Sequence, residues 1–496
     1  MSNDYLAGEE RDQSILLPAT LGEYITEENP VRFIDAFVDS LDLERLGFRR
    51  AKLEGGAGRP PYNPSDLLKL YVYGYLNQVR SSRKLEKACV SNIEVMWLMK
   101  KLAPDFKTIA DFRKENIDCI KPVFKEFVYL CKSLDLFGAE LLGIDGSKFR
   151  AVNSRKRNFD REHLAEALKR LEESIERYLK ELNEKDTTAT TDNDDKGPVA
   201  QEGTAKLRDK IGKLEERRQE YIRAENLMNE TGQKEVSLTD PESRLMKNNG
   251  RIEVCYNTEA AFDSKNKLAI DYDVTNQASD RNQLSPMAKS AKEVLRVEKI
   301  DATADKGFHD SLEIQECVDN GITPYVPEPV SVGRGKVRKV GVPKPAFYMD
   351  KFLYDKTTDA CVCPAGQRLE FYKWENAKGR RVAIYRTEAC FTCPFFITQC
   401  TRNKVGRRIW RWEHEETLEE MRARLRTVEG SRKAALRKEI CEHPFGTMKR
   451  AFNQGYFLLR GLRKVKGEMG FTMLAYNMRR AISILGVKAL LAHTSS

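Results

Sequence analysis

Residues 141–159 read LLGIDGSKFRAVNSRKRNF: a short apolar run, one acid, a glycine, and then five basic residues. Leu141, Leu142 and Ile144 have the composition of a buried strand, and Asp145 stands at its mouth. Lys148, Arg150, Arg155, Lys156 and Arg157 lie immediately downstream. A lone carboxylate there is either a plain strand-end cap or a group that holds something positive beside something polyanionic. The surrounding chain decides between the two.

Downstream, EVCYNTEAAFD and LAIDYDVTN read as two strands joined by the turn-like SKNK, a hairpin signal. A helix follows, with Ser285 expected as its cap, Pro286 first inside, and Met287, Ala291, Val294 and Leu295 on one face. KIDATAD is a fourth strand. It leads to a helix with capping-box spacing at Asp310 and Glu313 and a stop at Gly321, and ITPYVPEP is a fifth strand. The order β, β, β, α, β, α, β is that of an α/β, ribonuclease-H-like core. In that arrangement strand four lies parallel to strand one, so Asp145 and Asp305, each read as ending its strand, become neighbours.

Upstream the chain reads as helical. In ENPVRFIDAFVDSLDL, Asn29 caps, Pro30 opens the helix, and Phe33, Ile34, Phe37, Val38 and Leu41 mark one face. NPSDLLKLYVYGYL repeats this grammar from Asn63, and Ser91 with Glu94 has capping-box spacing. Two short helices meeting near Ser91 fit a helix-turn-helix or a plain helical bundle equally well, since spacing alone identifies no base-reading side chain. Between strands one and two, Leu164, Leu168, Leu171, Ile175, Tyr178 and Leu182 repeat at four and three, as do Leu207, Ile211 and Leu214. That is a coiled-coil hairpin, with Tyr221 and Met228 on later repeats and a polar tip, KDTTATTDNDDKGPVAQEG, expected to be mobile. The expected division is a helical DNA-binding region at 1–135, the catalytic core at 136–330 with its coiled-coil insertion at about 160–235, a basic and Cys-rich, zinc-ribbon-like insertion at 331–415, and C-terminal helices at 416–496 that complete the core.

The 496 residues carry 85 Lys+Arg against 75 Asp+Glu, so the placement of cations matters more than the net +10. No apolar run approaches the roughly 18 residues of a membrane span, and the acidic start lacks a signal pattern, so a soluble cytoplasmic protein is expected. Of eleven cysteines, Cys89, Cys119, Cys131, Cys255 and Cys317 are isolated among apolar neighbours and read as buried free thiols. Cys363, Cys390, Cys393 and Cys400 have the spacing for one C-x-x-C knuckle and two distant thiolates, which suits a structural Zn²⁺; Cys361 is a possible substitute for Cys363. TRNKVGRRIWRW then interleaves Arg407, Arg408 and other cations with Trp410 and Trp412, a composition suited to a nucleic-acid backbone and unstacked bases.

A third acid is offered by RKEICEHPFGTMKRAF. Lys438, Glu442 and Lys449 would share a face of a straight helix, although Pro444 and Gly446 predict a kink after Glu442. Here the chain resembles the DDE transposases of bacterial insertion sequences, in the branch with a Tyr/Arg/Glu/Lys signature at the last acid. DGSKFRAVNSRKRNF, ATADKGFHD, the C-P…C-x-x-C-P…C insertion, EHPFGTMKR, GYFLLRGLRKVKGE and LAYNMRRA carry the resemblance. It places the catalytic acids on Asp145, Asp305 and Glu442, the signature Arg on Arg437 and the Lys on Lys449; the Tyr position holds Ala434. It implies two Mg²⁺ ions held by the three acids, hydrolysis exposing a 3′-OH at an element end, and attack of that hydroxyl on target DNA by an oligomer assembled on DNA. The cations after Asp145, with Arg437 and Lys449, would hold phosphates. A transposase-derived protein that only binds DNA, and a nuclease of the same fold, are the competing readings.

Overall fold

The computed structural model describes residues 20–50, 60–153, 157–191, 198–248, 250–329, 343–377 and 379–494. The acidic amino-terminal stretch, Arg155 and Lys156, the centre of the polar tip at 192–197 and most of the basic Pro/Gly stretch (330–342) lie outside the described residues.

Six α-helices come first: α1 (Pro30–Asp39), α2 (Pro64–Leu76), α3 (Ser82–Ser91), α4 (Ile93–Leu98), α5 (Phe106–Glu115) and α6 (Ile120–Ser133). Asn29 and Asn63 cap as expected, each side chain accepting from the N–H two residues on, at 2.9 Å. The cap between α3 and α4 is Asn92 rather than Ser91, accepting from Val95 N at 3.1 Å. Glu94 turns away to Tyr73 Oη and Asn29 Nδ2, because those tertiary donors outcompete the local box.

Strand β1 (Leu141–Arg150) leads through β2 (Asn158–Asp160) into the long helices α7 (Arg161–Thr191) and α8 (Pro198–Thr231), and β3 (Glu235–Ser237) closes the hairpin by pairing with β2. Leu164, Leu171, Ile175, Tyr221 and Met228 bury its seam. Both helices extend into the tip that composition marks as mobile. Next come β4 (Arg244–Asn248), β5 (Arg251–Asp263), β6 (Ala269–Thr275), α9 (Leu284–Leu295), β7 (Ile300–Thr303), α10 (Ser311–Asp319) and β8 (Ile322–Tyr325). They form one mixed sheet: β4 and β6 both pair with β5, and the order continues β5-β1-β7-β8. β1 is antiparallel to β5 and parallel to β7, and β7 is parallel to β8. Two caps differ from the sequence reading. Ser285 lies inside α9, and Glu313 caps that helix from α10, accepting from Leu284 N at 2.8 Å, while Asp310 caps α10 itself.

A five-stranded antiparallel sheet, β9 (Leu353–Asp355), β10 (Ala360–Val362), β11 (Arg368–Ala377), β12 (Arg380–Arg386) and β13 (Ile409–Trp412), follows with its own small core of Cys361, Leu369, Ala383, Tyr385 and Ile409. Helices α11 (Glu415–Arg426), α12 (Val428–Gly446), α13 (Leu462–Leu485) and α14 (Val487–Thr494) end the described chain. α12 does not break at Pro444; it runs to Gly446 and widens into a π-helical turn at Thr447–Ala451. Pro444 and Phe445 are buried, so packing offsets the hydrogen bond that proline forfeits.

α13 is buried along most of its length between the amino-terminal helices and the sheet. Phe471 stacks on Tyr71 and Tyr75 at 5.3 and 4.9 Å, and Asn477 exchanges two hydrogen bonds with the Ala269 backbone at the start of β6. One apolar core therefore runs from α1 through the mixed sheet to α14. The protein is a mixed α/β chain, and among the described residues no helix is long and apolar enough to cross a membrane.

Candidate active site

Asp145 is not at a strand end: β1 runs five residues beyond it. What ends near it is the parallel pairing. The last β1–β7 pair is Gly143 with Thr303, and Asp145 and Asp305 each come two residues later. Asp145 continues along β1 opposite Ala260 of β5, whereas Asp305 turns off to cap a short 3₁₀ turn through Gly307 N at 2.5 Å. Asp145 accepts from Gly146 N at 3.0 Å, and its Oδ2 accepts from Arg437 Nη1 at 2.9 Å. Burial pushes the Asp145 carboxyl up to about 6; Arg437 opposes this and the charge of Asp305 adds to it.

Glu442 arrives from α12. A Cβ on Gly143 would lie 2.5 Å from Ile440 Cγ2 and 2.7 Å from Cys441 Sγ, so the bare glycine lets α12 sit directly on β1. The exposed Glu442 then lines, with Asp145, an open groove of about 900 Å³ whose cationic wall includes Arg150, Arg251, Lys449 and Arg450. Lys449 donates to the Lys148 carbonyl at 2.7 Å and lies 4.7 Å from the Phe149 ring; burial pushes its pKa down to about 8.

Of the other predicted DNA contacts, Lys148 and Arg150 also line the groove, and Arg157 lies away from it. Lys148 bonds Asp280 Oδ1 at 2.6 Å, Arg437 pairs with Asp145, and Arg157 pairs with Glu220 at the foot of the helical hairpin. Arg150 reaches the groove and lies over Tyr456 at 5.8 Å. Along 401–412 the interleaving splits. Trp410 is exposed, Trp412 enters the main core, Arg408 is half-buried, and Arg407 lies over Phe352 beside the cysteines. Arg251, Arg450 and Asp280 carried no motif; only the fold brings them to the acids.

Cys363, Cys390, Cys393 and Cys400 line one small cavity with Phe347, Phe352 and Arg407. Cys361 is buried in the core of the second sheet. Burial pushes Cys400 up to about 11, and the three neighbouring thiols add to that. The five isolated cysteines are buried and free.

Carboxylate oxygens are the donors that hard divalent ions take, so the chemistry of Asp145, Asp305 and Glu442 suits Mg²⁺. Among the described residues, however, no three His, Cys, Asp or Glu are drawn together tightly enough to hold a metal ion, and that includes the cysteine cavity. The cation in contact with Asp145 is Arg437.

Acids facing a cationic groove on a mixed sheet define a protein that handles a polyanion. Residues 19–115 match the transposase domain DUF772, and residues 362–482, from the cysteines through Glu442 and Lys449 into α13, match the transposase DDE domain. These matches make the chain a DDE-type transposase of an insertion sequence, an enzyme acting on DNA. No curated protein and no solved structure matches it.

Proposed function

We propose that the mixed sheet is a ribonuclease-H-like core in which Asp145, Asp305 and Glu442 are the catalytic acids of DNA cleavage and strand transfer. The register carries this reading: two acids each stand two residues past the last parallel pair, and the third lines the same groove as the first. The acids would hold two Mg²⁺ ions, which supply an activated water or 3′-OH and stabilise the leaving oxygen. Lys449, Arg150, Arg251 and Arg450 hold the phosphates of the strand in the groove. Arg437 bonds Asp145 through Nη1 and has further N–H donors to offer a phosphate of the same strand.

Cleavage of element ends exposes a 3′-OH that attacks target DNA, in an oligomer assembled on the DNA, in the cytoplasm at the nucleoid. The insertion around 331–415 would be organised by a structural Zn²⁺ on Cys363, Cys390, Cys393 and Cys400. The helical region at 1–135 and the projecting hairpin at 160–235 supply further DNA or partner contacts. The closed Arg437–Asp145 pair and Ala434 at the Tyr position favour a second reading, a chain that binds DNA without cutting it. Mg²⁺-dependent cleavage of DNA from the flanks of the gene separates the two. Loss of cleavage in Asp145→Asn with binding retained supports catalysis by these acids; cleavage at the normal rate in that variant refutes it.

A further inference from the structure

Backbone pairing between β1 and β7 stops at Gly143 and Thr303, two residues short of both acids. Something else must fix the Asp305 turn against the Asp145 strand. Asp280, in the loop between β6 and α9, lies where that tether is needed. Its Oδ1 accepts from Lys148 Nζ of β1 at 2.6 Å and from Asn257 Nδ2 of β5 at 2.8 Å. Its Oδ2 lies 3.5 Å from the point a Cβ on Gly307 would occupy, and Asp305 Oδ1 lies 2.7 Å from the same point. A Cβ on Gly146, the residue after Asp145, would fall 2.7 Å from Asp280 Oδ1 and 2.6 Å from Glu259 Oε2. Two glycines beside two acids thus make room for one further carboxylate.

Glu259 is fully buried, and its Oε2 has no hydrogen-bond donor among the described residues. Lys148 is the one cation hydrogen-bonded to Asp280 in this cluster, so a proton shared between Glu259 and Asp280 satisfies both carboxyls. With that proton the unit is close to neutral; it bonds β1 to β5 and lies against the Asp305 turn at Gly307.

We propose that Asp280 is a positioning residue of the catalytic centre, fixing the turn that bears Asp305 against the strand that bears Asp145. It rests on the reading of Asp145, Asp305 and Glu442 as the catalytic acids. Outer carboxylates of this kind typically change activity or ion affinity about ten- to a hundredfold when removed.

The test uses the full chain. In Asp280→Asn, the cleavage rate at saturating DNA is expected to fall about ten- to a hundredfold, and Mn²⁺ binding to the protein alone, read by calorimetry, to weaken by a similar factor. KM for DNA and the melting temperature are expected to stay near wild type. Asn257→Ser removes the β5 donor to Asp280 and keeps every charge, so it is expected to give a weaker form of the same pattern if Asp280→Asn fails to fold. Wild-type rate and Mn²⁺ affinity in a folded variant overturn the inference. So does a rate loss matched by equal losses of DNA binding and melting temperature, which marks a structural role only. Asp145→Asn and Glu442→Gln run alongside: normal cleavage in these sinks the underlying reading, whereas their failure beside a normal Asp280→Asn sinks only the role of Asp280.

Discussion

Arg437 and Asp145 face each other with side chains only 15% and 18% exposed, so each is held in a poorly solvated place by the other. Breaking such a pair by removing one partner strands the second charge. Asp145→Asn is nonetheless expected to fold, because its amide still accepts from Gly146 and burial already disfavours the ionised acid. Cleavage is expected to vanish while DNA binding, followed by mobility shift, persists. Lys449→Ala is expected to weaken DNA binding and to lower the slope of log affinity against log salt by about 0.9, the value of one phosphate contact; an unchanged slope would remove Lys449 from the groove wall. Glu259 gives a pH prediction. Unfolded, it ionises near 4.5; in the fold, burial and the Asp280 charge push it up to about 9. The native state keeps a proton that the unfolded chain releases, so this contribution to stability is lost as pH rises from about 5 through 9. Glu259→Gln mimics the protonated form, and its Tm is expected to gain steadily on wild type over that window. Parallel curves would contradict the buried protonated state. Asp145 itself is legible in the sequence because an acid beside cations is a local pattern. The partner of Arg157 is not legible in that way: nothing local announces Glu220, on the returning helix.

At the scale of elements, the caps show what a local pattern can carry. Asn29 and Asn63 bond N–H groups two residues away, a contact that depends on nothing else. Glu94 and Glu313 have the right spacing, but each finds donors on another helix, which spacing does not encode. The β-β-β-α-β-α-β order sets Asp145 beside Asp305 because adjacency of strands one and four is a property of the topology. The extension of β1 past Asp145 is not legible, since it depends on β5 continuing alongside to Cys255. Likewise Pro444 and Gly446 signal a kink after Glu442, but not that the helix runs on to Gly446 with Pro444 buried and then widens into a π-helical turn. The contact that brings Glu442 to the groove is testable here. Gly143→Ala places a methyl group against Ile440 and Cys441 of α12, and overpacking of this kind costs about 1–3 kcal/mol. Urea denaturation is expected to register that loss, and cleavage to fall further than stability alone explains, because Glu442 shifts with its helix. Full cleavage in a destabilised Gly143→Ala would mean that the seating of α12 on β1 does not set the acid.

For the whole molecule, what sequence periodicity cannot supply is the partner of a buried face. Phe471 packs on Tyr71 and Tyr75 from about 400 positions away, and through α13 the amino-terminal helices share one core with the mixed sheet. The second sheet is different in kind. Its own cluster is five buried residues with Phe352, Tyr354 and Cys363 packed on them, and it joins the main core through Val382 and Trp412. A cluster this small gains from a further source of free energy, and a structural Zn²⁺ that drew together the four cysteines around one cavity would supply it. Metal analysis of the purified protein is expected to give about one zinc per chain. Chelation is expected to add an early, low-temperature transition confined to this sheet, with the main core melting afterwards as before. Cys393→Ser is expected to lose the zinc and show the same early transition without chelator. Hydrogen exchange resolved along the chain would locate it: early exchange in β9–β13 with protection kept in β1, β5 and α13 is the expected pattern. A zinc-free chain whose second sheet is as protected as its first would show that the thiols are only buried neighbours, and that the sheet draws its stability from its contact with α11 and the main core.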